Sequence, residues 1–146
     1  MILEIEKGEK NTILRTPSLK IEKIDEEIQK LIGDMLETMT KNNGLGLAAC
    51  QVGKNLKLFV ISKELSDKQI FINPEITKIS QDQEVMEEGC LSLPGISKRV
   101  KRPRSLKISA LDEKGRKFKI RAEGLLARAI QHEFDHLRGV LIVDKE

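Results

Sequence analysis

The sequence predicts an α+β chain in which two helices bracket a run of strands. Three observations carry this. Residues 25–41 and 123–137 repeat apolar side chains at helical spacing. The segments between them alternate apolar and polar residues with period two. The order is helix, many strands, helix and a last short β-type run. It lacks the regular βαβ alternation of a parallel sheet.

In the first helix Ile24, Ile28, Leu31, Ile32, Met35, Leu36 and Met39 fall on one face. Asp25 is the expected N-cap, and Glu26 and Glu27 suit the positive end of the helix dipole. Asn42-Asn43-Gly44 is a stop signal, because Asn and Gly accept the left-handed conformation that closes helices. Residues 56–62 and 69–73 are β-rich, with Pro74 expected to end the second strand, and 75–80 alternates again. Residues 105–111 and 117–122 flank Asp112-Glu113-Lys114-Gly115, a hairpin signal with Gly available for positive φ. Lys107, Ser109, Lys117, Lys119 and Arg121 are expected on its wet face. Leu106, Ile108, Ala110, Phe118 and Ile120 are expected in the core. The last helix carries Leu126, Ala129, Ile130, Glu133 and Leu137 near one face and ends at Arg138-Gly139. Residues 140–143 read as a short β-type run.

At 146 residues the chain is about one domain long, and a single domain over 1–146 is expected. Hydrophobic residues at 39% exclude a disordered chain. The net charge of +3 and the 3% aromatic content give neither a basic footprint nor stacking platforms, so no direct nucleic-acid binding is expected. No apolar run approaches the roughly 20 residues that span a bilayer, and residues 1–10 lack a signal-peptide core. A cytoplasmic protein is expected, with Cys50 and Cys90 as thiols, free or metal-bound.

The only two histidines, His132 and His136, lie four apart on the second helix and so share a face. Two histidines placed at random over this length fall four apart roughly once in a hundred chains, and Glu133 beside the first makes the pattern rarer still. His132-Glu133-Phe134-Asp135-His136 is the H-E-x-x-H pattern of metal hydrolases. Two imidazoles on one face can chelate one ion. The glutamate, rotated away, can reach a water beside it. Surface histidines on an ordinary helix are the bland alternative, but here an amphipathic helix puts the pattern at the edge of the core. A catalytic site needs a third protein ligand. Only ten residues follow His136, so the better candidate is upstream, Cys90 in Glu87-Glu88-Gly89-Cys90-Leu91-Ser92. The small residues of Gly44-Leu45-Gly46-Leu47-Ala48-Ala49-Cys50-Gln51 let another chain approach. Gln51 offers an amide to a carbonyl gaining charge, although a sterically packed turn explains the stretch equally well.

Three segments together resemble peptide deformylase: the glycine-rich 44–51 stretch, Glu88-Gly89-Cys90-Leu91-Ser92, and Gln131-His132-Glu133-Phe134-Asp135-His136-Leu137. They occur in the family's order and at similar separations. The similarity continues through Phe71-Ile72-Asn73-Pro74-Glu75 and Ala110-Leu111-Asp112. The resemblance implies antiparallel sheets wrapped around a metal-binding C-terminal helix, with an N-terminal helix packed outside. It implies a hydrolase that removes the formyl group from the initiator N-formylmethionine of new polypeptides and releases formate. Cys90, His132 and His136 would hold the metal, usually Fe2+, with Zn2+, Ni2+ or Co2+ as substitutes. Glu133 would be the acid/base, Gln51 and the Leu91 N–H would hold the formyl oxygen, and Gly46 would pair with the substrate backbone. Leu45, Gly89 and Ile130 are expected to line the substrate cleft, with Arg128 at its rim carrying its guanidinium to water.

Three departures stand out. The segment 15–24 is shorter than the family's usual approach to the first helix. Cys50 replaces a more usual Pro or Thr, one residue from Gln51, and is expected to be an extra reactive thiol. The resemblance implies possible contact with the ribosome, although the C-terminal helix through which many bacterial members dock does not follow Val143. Two other classes compete. An H-E-x-x-H endopeptidase would need a downstream carboxylate ligand. A closed structural metal site would need Cys50 as its fourth ligand.

Overall fold

A computed structural model describes residues 1–145. In chain order it holds α1 (Thr12–Arg15), α2 (Glu26–Lys41), β1 (Gly46–Ala48), a 3-10 turn (Ala49–Val52), β2 (Leu58–Ile61), β3 (Ile70–Ile79), β4 (Gln83–Gly89), β5 (Ser97–Pro103), β6 (Ser105–Leu111), β7 (Lys117–Glu123), α3 (Gly124–Leu137) and a last 3-10 turn (Ile142–Asp144). α2 starts as expected, with the Asp25 carboxylate accepting from Ile28 N at 3.1 Å.

The strands form a five-stranded antiparallel sheet in the order β1-β2-β3-β6-β7 and a separate two-stranded sheet, β4-β5. The larger sheet is covered on both faces around β2. Phe59 and Ile61 pack with Phe71, Ile108, Ala127 and Ile130 on the α3 side. Leu58 and Val60 pack with Leu31, Met35 and Met39 on the α2 side. This explains why β2 is an unbroken apolar run, since both faces of its pleat are buried. A third cluster, Leu93, Val100, Leu141 and Ile142, ties the β4-β5 hairpin to the C-terminal turn. α3 thus lies between the two sheets, with α2 on the outer face of the larger one.

Three expectations need correction, and one hairpin was missed. Pro74 does not end a strand: β3 runs through it. Asn73 takes φ 49, and the register with β6 shifts between Ile72 and Glu75, so the missing N–H falls in a bulge. The β4-β5 hairpin was not anticipated from the sequence. Residues 140–143 form no strand: the chain closes in the 3-10 turn Ile142–Asp144, where the Asp144 carboxylate accepts from Leu141 N. Ser109, placed on the wet face, is buried under its longer neighbours.

Candidate active site

α3 and the end of β4 build the centre of the site. His132 and His136 stand one turn apart on α3, their ring centroids 5.0 Å apart. Cys90, just after β4, brings its Sγ to 3.5 Å from His136 Nε2. One ligand atom from each of Cys90, His132 and His136 lies within 4.8 Å of the others. A tetrahedral ion with metal–sulfur and metal–nitrogen distances of about 2.3 and 2.1 Å holds sulfur and nitrogen about 3.6 Å apart. The Cys90–His136 spacing fits that geometry, and the donor set suits a divalent metal.

The two histidines differ in how they are supported. His132 Nδ1 lies 3.0 Å from Glu88 Oε1, which leaves Nε2 for the ligand cluster. His136 Nδ1 is buried without a partner among the described residues. Burial alone would lower the His132 pKa, but its hydrogen bonds with Cys90 and Glu88 reverse this and raise it to about 10. Burial and the neighbouring His132 charge push His136 down to about 3.

Glu88 is the centre of a buried ion cluster. Arg102 donates to it twice, at 2.6 and 2.9 Å, and Arg128 donates once, at 2.5 Å. With His132 these contacts fill the four acceptor positions of the carboxylate. Arg102 also reaches Asp135 at 2.8 Å, so two guanidiniums face two carboxylates. Burial would raise the Glu88 pKa, but the His132 and Arg102 hydrogen bonds outweigh it and hold Glu88 well below the usual carboxylate range. Arg128 does not send its guanidinium to water: it is buried, and it also donates to the Val100 and Glu84 carbonyls. The sequence reading overlooked this cluster. One signal was available: Glu88 and Cys90 are two apart in a strand-like segment, so both point the same way.

Glu133, beside His132 on α3, is 4% exposed, and its Oε1 has no partner among the described residues. Burial pushes its carboxyl up to about 7. Gln51 is fixed from both ends. Its Oε1 accepts from Ala48 N at 2.9 Å, and its Nε2 donates to Ser92 Oγ at 3.1 Å and faces Cys90 Sγ at 3.8 Å.

These groups lie in or beside a cleft of about 420 Å³ lined by Leu45, Gly46, Gln51, Gly89, Leu91 and Glu133, together with Met86, Leu125 and Ala129. β1 forms one wall and is an edge strand. Leu45 O accepts from Ser62 N, so alternation turns the backbone groups of Gly46 toward the unpaired edge. Ile130, expected in the cleft, is absent from it: it is 0% exposed in the core between α3 and the sheet. Two residues are about 200° of helix, so it points away from His132. Met86 and Leu125 take its place. Cys50 is not a reactive thiol either. It is fully buried and donates to His136 O at 3.6 Å, and burial with the Glu133 charge pushes it up to about 12.

An α+β scaffold presenting one cysteine and two helical histidines, with a buried carboxylate next to them, defines a metallohydrolase-type site. The family model described as polypeptide deformylase matches residues 2–146. A peptide deformylase of Prochlorococcus marinus (strain NATL2A) is 52% identical over 136 residues, covering 90% of this chain and 67% of that protein. Peptide deformylase 1 of Clostridium perfringens is 51% identical over 135 residues, covering 92% and 91%. The crystal structure of peptide deformylase from Thermotoga maritima superposes with a TM-score of 0.94 at 39% identity, covering 99% of this chain and 97% of that one. The chain belongs to the polypeptide deformylase family. No helix among the described residues is long and apolar enough to cross a membrane.

Proposed function

We propose that this chain hydrolyses the N-formyl group of N-formylmethionyl ends on newly made polypeptides in the cytoplasm, releasing formate and a free α-amine. The observation that carries this is the convergence of Cys90, His132 and His136 within 4.8 Å at a cleft that also holds Glu133. Cys90, His132 and His136 are the residues that would hold the ion, Fe2+ by preference with Zn2+, Ni2+ or Co2+ as replacements. One thiolate and two imidazoles suit all four. A divalent ion there supplies Lewis-acid chemistry, bringing the pKa of water toward neutrality and drawing charge from a carbonyl oxygen.

The chain's own groups do the rest. Glu133 takes a proton from the attacking water and delivers it to the leaving nitrogen. A carboxyl pushed up to about 7 is suited to both duties near neutral pH. The Gln51 amide and the Leu91 N–H donate to the formyl oxygen as it gains charge. Gly46 pairs with the peptide backbone as an added strand on β1. Leu45, Gly89, Met86, Leu125 and Ala129 surround the first side chain. The reading is tested by formate release from a formyl-Met peptide, with the acetylated and unblocked peptides as controls. Hydrolysis of internal peptide bonds in the unblocked peptide would instead indicate an endopeptidase. Metal analysis of protein prepared without oxygen identifies the ion.

Two further outcomes are expected. The mostly apolar cleft should separate formyl-Met from formyl-norleucine only slightly, because the thioether sulfur and the methylene that replaces it are both apolar and nearly equal in size. Formyl-Asp should have a kcat/KM lower by at least about tenfold, since its charge is desolvated against the apolar lining of Leu45, Met86, Leu125 and Ala129. Equal kcat/KM for formyl-Asp and formyl-Met would overturn the apolar cleft. Glu88→Gln should weaken metal binding by roughly 10–100-fold, because the amide cannot serve two arginines and His132 at once. Competition with a chelator measures this, and unchanged affinity would remove Glu88 from its orienting role.

A further inference from the structure

The structure assigns Gly46 a second role, that of a positioning residue which sets where the Glu133 carboxylate rests, apart from any pairing with substrate. This rests on the reading of Glu133 as the acid/base. Gly46 lies in β1 without a positive φ, so its backbone conformation does not demand glycine. The space around it does. A Cβ at Gly46 would stand 2.8 Å from Glu133 Cγ, 2.8 Å from Glu133 Oε2 and 3.0 Å from Glu133 Cδ. All three nearest atoms belong to one side chain, and no backbone atom is among them. The Glu133 side chain is therefore what must yield. Nearby Gly44 differs, since its closest neighbour, Leu91 Cδ1, would be at 3.3 Å.

The contact matters because little else fixes that carboxylate. Among the described residues Glu133 Oε1 is buried without a hydrogen-bond partner, so packing holds the group rather than a polar network. The Glu133 side chain occupies the space that a Cβ at Gly46 would need, so a single methyl group there displaces it. Side chains stand perpendicular to the sheet, whereas the backbone groups of Gly46 lie along its edge. A methyl group at this position therefore displaces Glu133 while leaving the N–H and C=O that a peptide would use.

The test is Gly46→Ala in the metal-loaded enzyme, alone and combined with Glu133→Ala. Displacing a catalytic group by about 1 Å can cost around 10²-fold, so kcat should fall by about 10–100-fold. KM, metal content and the calorimetric Kd of an unformylated Met peptide should stay within about threefold, because the loss is confined to the transition state. Gly46→Ala should add no further loss of kcat to Glu133→Ala. Thermal melts of the metal-free proteins give a readout independent of turnover. Gly46→Ala should lower Tm, and adding Glu133→Ala should restore it by removing the clash. If Gly46→Ala folds poorly, the double variant should still recover. Wild-type kcat in Gly46→Ala, a loss appearing only in KM or Kd, an equal kcat loss in both backgrounds, or a melting defect that Glu133→Ala does not relieve would each overturn the assignment. Failure of the wild-type protein to release formate would instead refute the proposed reaction.

Discussion

Glu133→Ala is expected to keep its metal and lose turnover by roughly 10²–10⁴-fold, the usual contribution of a positioned acid/base. The proposed ligands are Cys90, His132 and His136, so the ion should not depend on Glu133. The same substitution should not destabilise the protein. Glu133 is buried with an oxygen that has no partner among the described residues, and truncating it removes a desolvated polar group along with some packing. Glu133→Gln keeps the shape but cannot carry a proton, so its loss of kcat should be of the same order. Metal content by mass spectrometry, Tm and kcat on a formyl-Met peptide separate the effects. A metal-loaded Glu133→Ala enzyme with near-normal kcat would end the proposed role.

The sequence was most legible where the structure is local. The α2 cap at Asp25, the β6-β7 hairpin and the four-residue spacing of His132 and His136 depend on neighbours only a few positions away. β4 and β5 escaped notice because charged residues fill positions that the fold buries. Glu88 and Arg102 look solvent-facing until Arg128 and His132 arrive from α3 to complete their partners. Arg128 was misjudged for the same reason, as a long stem can reach water or an internal carboxylate, and its own segment does not decide which. Ile130 was misplaced by nearness in sequence to His132, where the 100° step of the helix turns it into the core. The contact of Gly46 with Glu133 joins β1 to α3 across most of the chain, and no local pattern encodes it.

Cys90 and Cys50 should part completely under mutation. Cys90→Ala removes the sulfur from a three-residue ligand set and leaves two imidazoles on one helix. The metal affinity lost should exceed the roughly 10–100-fold typical of a supporting residue, and turnover should disappear with it. Cys50→Ser should keep both. The Cys50 thiol is not among the clustered ligand atoms; it donates to the His136 carbonyl at 3.6 Å, a distance that the shorter Cβ–O bond of serine would not span without a local shift. Burying that poorly bonded hydroxyl should cost about 1–3 kcal/mol of stability while leaving metal and activity in place. Both thiols are free in the structure, so alkylation adds a direct comparison. With its pKa pushed up to about 12 and no exposed surface, Cys50 should resist iodoacetamide in the folded protein. Cys90, partly exposed at the cleft, should react once a chelator has removed the ion and be protected when the ion is returned. A Cys50–Cys90 disulfide in active protein, or full metal occupancy in Cys90→Ala, would refute the ligand assignment.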